Sequence, residues 1–137
     1  MKIVIADDAA SFRERLRDMI EAIPEVSKVI ATDGGFDALR QIIVHQPELA
    51  VLDIRMPGAN GYEILIEVKK RDPDIRIFIV TAFGDELNKT MAEHCGADGF
   101  YTKTGHLNEM LNKIEQLAKE KAISERDVWE EIVDESG

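Results

Sequence analysis

Short apolar runs alternate with longer amphipathic segments along almost the whole of this 137-residue chain. Each apolar run is four to six residues long and most are rich in β-branched residues, which is typical of strands. Five such runs, each followed by a helical pattern, predict an α/β fold with helices on both faces of a parallel sheet. The predicted strands are residues 2–6, 26–31, 49–52, 75–80 and 99–102.

Proline and glycine mark where the amphipathic segments end. Pro24, Pro47 and Pro73 each follow a segment whose apolar residues recur at helical spacing, and Gly96 follows another. Proline cannot continue a helix because it has no backbone N–H and its ring clashes with the preceding turn. The apolar residues that mark four of the predicted helices span 12–23, 36–43, 87–95 and 107–117, with the second helix closing before Pro47. A further helix is predicted from residue 60 or 61 to about 71.

The third predicted strand, Leu49–Leu52, is apolar at every position and is followed at once by Asp53. Strands of a parallel sheet are covered on both faces, so they read as continuous apolar runs. Ligands bind beyond the carboxyl ends of such strands. We therefore expect Asp53 to lie at the ligand-binding edge of a central strand.

Polar residues also follow the other strands at this edge. Asp7 and Asp8 follow the first strand, Thr81 ends the fourth, and Lys103 follows the fifth. Taken singly, each has an ordinary explanation, because acids favour helix N-termini and aspartate favours turns. Placed together, three carboxylates need a counter-charge, which Lys103 or a hard cation such as Mg²⁺ supplies. Such a site is suited to forming an aspartyl-phosphate.

The composition of the chain disfavours nucleic acids and membranes as binding partners. With 27 acidic and 17 basic residues, the formal net charge is −10, which disfavours nucleic-acid binding by this chain. The single cysteine, Cys95, cannot form an internal disulfide, which is consistent with a cytoplasmic protein. No apolar run approaches the roughly 20 residues that cross a bilayer, so we expect no membrane segment.

Four segments, in this order, resemble the receiver domain of two-component response regulators: IADD, LDIRMPGANGYE, IVTAFG and GADGFYTK. The resemblance covers roughly residues 1–119, which we take as a receiver domain, with 120–137 as an acidic helical tail or linker. It implies a flavodoxin-like, doubly wound sheet of strand order 2-1-3-4-5. It also implies a cytoplasmic signalling protein of a two-component system or phosphorelay, with Mg²⁺ as its cofactor.

The resemblance implies a role for each residue of the acidic edge. Asp53 matches the phosphoacceptor and also a metal ligand, and Lys103 matches the lysine that pairs with the phosphoryl oxygens. Asp8 matches the direct Mg²⁺ ligand, and Asp7 matches an acid that acts through water. The backbone carbonyl of Arg55 matches a further metal ligand. The donor would be a histidine kinase or histidine phosphotransfer protein.

Two further residues match the switch of the family. Thr81 matches the hydroxyl that moves to bond the phosphoryl group, and Phe100 matches the aromatic ring that turns inward with it. The face formed by the fourth helix, fifth strand and fifth helix would then change its preference for an output protein or domain, or for a second copy. The chain would catalyse only its own phosphoryl transfer and dephosphorylation, so we do not expect an enzyme acting on external substrates.

The sequence departs from the family pattern at two positions. The family lysine is usually followed by proline, often after a cis bond, whereas Thr104 follows Lys103 here. A cis bond before a non-proline residue costs about 2.5–4 kcal/mol, which favours a trans bond and a differently shaped loop.

The second departure is at the switch aromatic. Phe100 lacks the hydroxyl of the tyrosine found at this position in relatives, and Tyr101 next to it should face the other side of the sheet. Arg55 and Phe83 occupy variable positions, where an arginine could shield the aspartyl-phosphate or pair with an acid.

The tail carries its own pattern. Ser124 with Asp127 three residues later is typical of a helix start, which predicts a short sixth helix. Val128, Trp129, Ile132 and Val133 would share one narrow apolar face. Docking on the domain, dimer formation and a linker role all fit this helix, and docking is the simplest.

Two other functions compete with a phosphorylation-controlled switch. The first is a receiver-like interaction module that works without phosphorylation, although every expected acid, the threonine and the lysine are present. The second is a Mg²⁺ phosphatase with an aspartate nucleophile. Such enzymes typically carry a second acid two residues after the nucleophile, and Arg55 stands there instead.

Overall fold

The alternating pattern folds into five strands and five helices in a computed structural model that describes residues 1–136. The strands are β1 (Lys2–Ala6), β2 (Lys28–Thr32), β3 (Leu49–Leu52), β4 (Arg76–Thr81) and β5 (Gly99–Thr102). The helices are α1 (Ala10–Glu21), α2 (Gly35–His45), α3 (Gly61–Arg71), α4 (Glu86–His94) and α5 (Leu107–Ser136). No helix in the described part of the chain is both long and apolar enough to span a bilayer.

All five strands are parallel and lie in the order β2-β1-β3-β4-β5, as expected. The strand order reverses between β1 and β3, where Ala6 lies opposite Leu52. The residues that follow these two strands are therefore brought side by side at the point where open α/β sheets bind ligands.

Two apolar layers cover the sheet. One packs α2, α3 and α4 against one face, and the other packs α1 and α5 against the opposite face. Every residue of β3 is fully buried, which explains why this strand is apolar throughout.

Two strands begin later than predicted because turns take up their first residues. The Val26 N–H donates to the carbonyl of Ile23 in the turn after α1, so β2 begins at Lys28. The Ile75 N–H donates to the carbonyl of Asp72, and β4 begins at Arg76.

The prediction of a separate short C-terminal helix is wrong, because α5 runs without a break from Leu107 to Ser136. No glycine or proline interrupts residues 107–136, so nothing ends the helix before Ser124. Lys121 pairs with Glu48 next to the start of β3. The boundary predicted between residues 119 and 120 falls inside this helix and stays a prediction.

Candidate functional site: an acidic pocket at the carboxyl edge of the sheet

Asp53 directly follows β3 and is held there by its backbone. Its N–H donates to the carbonyl of Ala6 at 2.9 Å, which extends the ladder between β1 and β3 by one residue. The residue is 6% exposed. At the start of α3, a Cβ on Gly61 would lie 2.3 Å from the Asp53 carbonyl oxygen, so only glycine lets the helix begin this close. Asp53 is thus fixed from both sides.

Asp7 and Asp8 follow β1 and differ in exposure. Asp7 is 1% exposed, whereas Asp8 is open to solvent. One Asp7 carboxylate oxygen, Oδ1, accepts from the Ala9 N–H at 2.9 Å, and the Arg13 guanidinium donates to the Asp7 backbone carbonyl at 2.8 Å. These bonds fix the buried carboxylate at the beginning of α1.

Lys103 follows β5 and reaches across to both buried acids. Its backbone N–H donates to the Thr81 carbonyl at 2.8 Å, which continues the pairing of β4 and β5. Its ammonium nitrogen Nζ lies 2.7 Å from Asp7 Oδ2 and 3.2 Å from Asp53 Oδ2. It also lies 4.4 Å from the centre of the Phe12 ring, a cation–π contact. The structure therefore brings the counter-charge expected from the sequence into contact with two of the three acids.

The pKa values of Asp53 and Lys103 are both raised. The shift disfavours the charged form of the aspartate and favours the charged form of the lysine. Burial raises the pKa of Asp53, and the neighbouring Asp7 carboxylate raises it further, although Lys103 acts against both. Burial alone would lower the pKa of Lys103, but its contacts with Asp7 and Asp53 outweigh that effect and raise it. Lys103 therefore stays charged, and one positive charge faces two buried carboxylates.

The acids fit a hard divalent cation. Carboxylate oxygens of Asp7, Asp8 and Asp53 lie within 4.8 Å of one another. Asp7 Oδ2 is buried, and among the described residues no hydrogen bond reaches it, only the ion-pair contact with Lys103. Three carboxylate oxygens, one of them short of partners, match the oxygen ligands that Mg²⁺ takes. The Arg55 carbonyl lies in the loop that follows Asp53, and its role as a ligand stays a prediction.

The Thr81 hydroxyl lies at the end of β4, next to the acids in the sheet order. Thr81 is 1% exposed, and its Oγ1 accepts from the Phe83 N–H at 3.0 Å. The hydroxyl proton remains available to donate. Thr81 is thus tied to the loop between β4 and α4 through one hydrogen bond that rotation of the side chain would break.

The two aromatic residues of β5 face opposite sides of the sheet, as strand alternation predicts. Phe100 is partly buried against the layer that contains α4. Tyr101 packs in the other layer, edge-on to Phe78 with ring centres 5.4 Å apart. The prediction that Tyr101 faces the side opposite Phe100 is confirmed, and Phe100 lies in the layer that contains α4.

Two ring contacts at the site, and the hydrogen bond from Arg13 to the Asp7 carbonyl, were not predicted from the sequence. The Arg55 guanidinium stacks over Phe83 at 3.9 Å from the ring centre, which joins the loops after β3 and β4. Phe12 begins the first predicted helix, and its ring contacts Lys103. The only signal for Phe12 and Arg13 was their position in the first turn after Asp7 and Asp8.

The proline missing after Lys103 does not prevent the lysine from reaching the acids. The described chain contains no cis peptide bond, so the Lys103–Thr104 bond is trans. This agrees with the expectation from the cost of a cis bond before a non-proline residue. The loop turns instead at Gly105, whose φ of 92° suits glycine.

Comparison with known proteins identifies the family of the chain. The model of the family described as "Response regulator receiver domain" matches residues 3–115. Response regulator GacA of Pseudomonas aeruginosa is 29% identical over 117 residues, which are 85% of this chain and 55% of that protein. Chemotaxis protein CheY of Listeria monocytogenes is 26% identical, with 87% of this chain and 99% of that protein covered. This chain spans about half the length of several of the curated relatives it matches.

A solved structure shows the same likeness. The signal receiver domain of the putative response regulator NarL from Mycobacterium tuberculosis is 30% identical, with a TM-score of 0.79. The match covers 86% of this chain and 95% of that domain. The family resemblance inferred from the four segments of sequence is confirmed.

Proposed function

This chain belongs to the response regulator receiver domain family, and we propose that Asp53 accepts a phosphoryl group from a phosphohistidine. A carboxylate oxygen of Asp53 attacks phosphorus, the P–N bond of the donor breaks, and the leaving imidazole takes a proton. Hydrolysis of the aspartyl-phosphate by water returns the free carboxylate and releases phosphate. The donor is a histidine kinase or a histidine phosphotransfer protein.

One observation carries the proposal: the Lys103 ammonium lies within 3.2 Å of Asp53 Oδ2 while also contacting Asp7. A fixed cation beside the nucleophile stabilises charge on the transferring phosphoryl oxygens and needs no rearrangement during the reaction. Asp7, Asp8 and Asp53, with the Arg55 carbonyl, would hold Mg²⁺. The metal would offset further negative charge on the phosphoryl group.

The phosphoryl group acts as a switch through Thr81. We expect its hydroxyl to turn toward the phosphoryl oxygens, which gives up the hydrogen bond from the Phe83 N–H. The loop before α4 loses that anchor, and Phe100 can move into the space that Thr81 leaves. The face of α4, β5 and α5 then changes its affinity for a downstream protein or domain.

The proposed chemistry is limited to phosphorylation and dephosphorylation of Asp53 on this chain. Arg55 stands two residues after Asp53, and its guanidinium stacks on Phe83. An arginine cannot serve as a general acid or base at neutral pH. We therefore expect self-phosphorylation and slow hydrolysis rather than turnover of external phosphate esters.

Acetyl phosphate with Mg²⁺ tests the proposal. We expect the wild-type protein to gain the mass of one phosphoryl group, in a form that alkali removes. Asp53→Asn should stay unmodified, and Asp33→Asn, which changes an exposed acid after β2, should react like the wild type. A protein that gains no phosphoryl group would be an interaction module, and rapid multiple turnover of the donor would indicate a phosphatase.

A further inference from the structure

The last three turns of α5 carry an apolar face that the domain does not cover. We call residues 124–136 the α5 extension. Val128 is 52%, Trp129 65% and Ile132 52% exposed. These side chains lie on one side of the helix, because they are spaced by one, three and four residues.

The exposed face continues the face by which α5 packs on the domain. Val128, Trp129 and Ile132 each lie 18 residues, or five helical turns, after a residue that packs on the domain. The three packed residues are Met110, Leu111 and Ile114, of which Met110 and Ile114 are fully buried. One stripe thus runs the length of the helix, buried first and then uncovered beyond Lys121.

The extension is also strongly acidic. Residues 124–136 contain six acids and one base, Arg126. Pairing two extensions side by side would bring these acids together and would bury Glu125, which lies within the stripe. Like charges that face each other are destabilising, so charge favours a partner surface with apolar walls and a basic rim.

Such a surface lies on this same chain, between α2 and α3. We call it the α2–α3 groove. Its floor is made by Ile42, Val68 and Ile75, and Ile43 and Arg71 line its sides. Its free volume of about 160 Å³ resembles the ~150 Å³ cavities that accept a benzene-sized apolar group. The groove can therefore take an apolar side chain from a docked helix.

The last turn of α3, beside the groove, is basic, although Asp72 also lines the groove. The last turn of α3 contains Lys69, Lys70 and Arg71. Lys69 is engaged with Asp98, but Lys70 and Arg71 are exposed. Arg71 pairs with Glu67 one turn earlier, and an exposed pair of this kind contributes little to stability and re-pairs easily.

The two surfaces lie at the same end of the molecule on opposite faces of the sheet. The groove is lined by Gln46 and Asp72, just past the ends of α2 and α3, and α5 leaves the domain where Lys121 meets Glu48. Because α5 is one unbroken helix on the other face, it does not reach its own groove. A second copy turned about a two-fold axis can offer its groove to the first extension and receive the other in return.

We propose that this chain forms a two-fold dimer in which the α5 extension of each copy docks in the α2–α3 groove of the other. Val128, Trp129 and Ile132 fill the groove and its rim, and the acids of the extension face Lys70 and Arg71. The exchange is independent of the phosphorylation of Asp53.

Two variants and their mixture test the dimer by sedimentation equilibrium. Ile132→Asp changes the extension, and Ile43→Asp changes the groove at a side chain that is 40% exposed, so the core is left intact. Each variant alone should raise the dimer dissociation constant by about tenfold or more, since both lose a buried apolar anchor. An equimolar mixture should recover association, because one extension and one groove remain intact between them.

Leu87→Asp is the matched control, since it places the same charge on α4 at a side chain that is 70% exposed. It should dimerise like the wild type. Trp129 is the only tryptophan, so its emission should shift to shorter wavelength as the wild type associates. The proposal would be overturned if the wild type stayed monomeric up to about 100 μM. It would also be overturned if Ile43→Asp self-associated as strongly as the wild type, because the extensions would then pair with each other.

Discussion

At the scale of single residues, the site depends on one ammonium placed between two buried carboxylates. Lys103 contacts Asp7 and Asp53 together, and the pKa of Asp53 is raised by burial first and by Asp7 second. The ionised form of Asp53 is therefore disfavoured in the folded protein. Chemistry at this carboxylate and stability of the fold are linked through its charge.

We predict that Asp53→Asn stabilises the metal-free protein at pH 7 by about 1 kcal/mol. Because the folded pKa is above the unfolded value, Asp53 favours folding only at low pH, and that contribution is lost as pH rises through the folded pKa. The gain from asparagine should therefore shrink on acidification and vanish below the unfolded pKa. Urea denaturation between pH 3 and 7 measures this, with Asp33→Asn as the control. A pH-independent difference would contradict the electrostatic explanation.

We predict that Lys103→Met lowers the free energy of unfolding by about 3 kcal/mol without metal, since two buried carboxylates lose their partner. Mg²⁺ should stabilise this variant more than the wild type, because it supplies the missing positive charge. Thermal melts with and without Mg²⁺ measure both effects. Lys113→Met, at an exposed lysine of α5, serves as control, and equal Mg²⁺ responses in the Lys103 variant and the wild type would place the metal elsewhere.

At the scale of elements, the start of α3 determines where the loop after Asp53 lies. Asn60 caps the helix by accepting from the Glu63 N–H at 3.0 Å, and the Glu63 carboxylate accepts from the Asn60 N–H at 3.1 Å. Gly61 then allows the helix to touch the Asp53 backbone. A capping box and a glycine together fix the direction in which the chain leaves the site.

We predict that Gly61→Ala destabilises the protein by about 1–3 kcal/mol, although alanine favours helix more than glycine by about 1 kcal/mol. The new Cβ would lie 2.3 Å from the Asp53 carbonyl oxygen, and backbone cannot give way cheaply. The phosphorylation rate should fall as well, because Asp53 moves. Urea denaturation and acetyl phosphate kinetics test this against Lys113→Ala at an exposed position of α5, and a stabilised Gly61→Ala protein would show that the contact is relieved.

At the largest scale, two apolar layers hold the receiver together, and α5 extends beyond both of them. Ala118 is the last residue of α5 in the buried layer, and Lys121 pairs with Glu48 just beyond it. The exposed side chains of the α5 extension contribute little to the fold itself.

We predict that a chain ending at Ile123 keeps the stability of the full chain to within about 0.5 kcal/mol when both are monomeric, because the side chains of residues 124–134 are exposed. Phosphorylation of Asp53 should be unchanged. Dilute urea denaturation and acetyl phosphate labelling measure these quantities. A large loss of stability would show that the extension supports the domain, and the domain boundary would then move beyond Ile123.

The alternation of strands and helices, and the residues that end each strand, could be predicted from the amino-acid sequence. These features are local: covered strands must be apolar, helices repeat every 3.6 residues, and Asp53 follows its strand directly. Parallel strands share one carboxyl edge, so the meeting of Asp7, Asp53, Thr81 and Lys103 followed from chain order and the strand order of the family.

Contacts between segments distant in the chain depend on three-dimensional packing and could not be predicted from the sequence. Arg55 stacks on Phe83 and Phe12 lies beneath Lys103 because two loops and one helix meet over the acids, and no local pattern records their spacing. The local motif at Ser124 favours a helix start, yet α5 continues through it, because the unbroken run of helix-compatible residues on both sides outweighs the weak interior cost of one serine. The uncovered stripe of α5 and the groove between α2 and α3 lie on opposite faces of the sheet, and packing alone brought both to one end of the molecule.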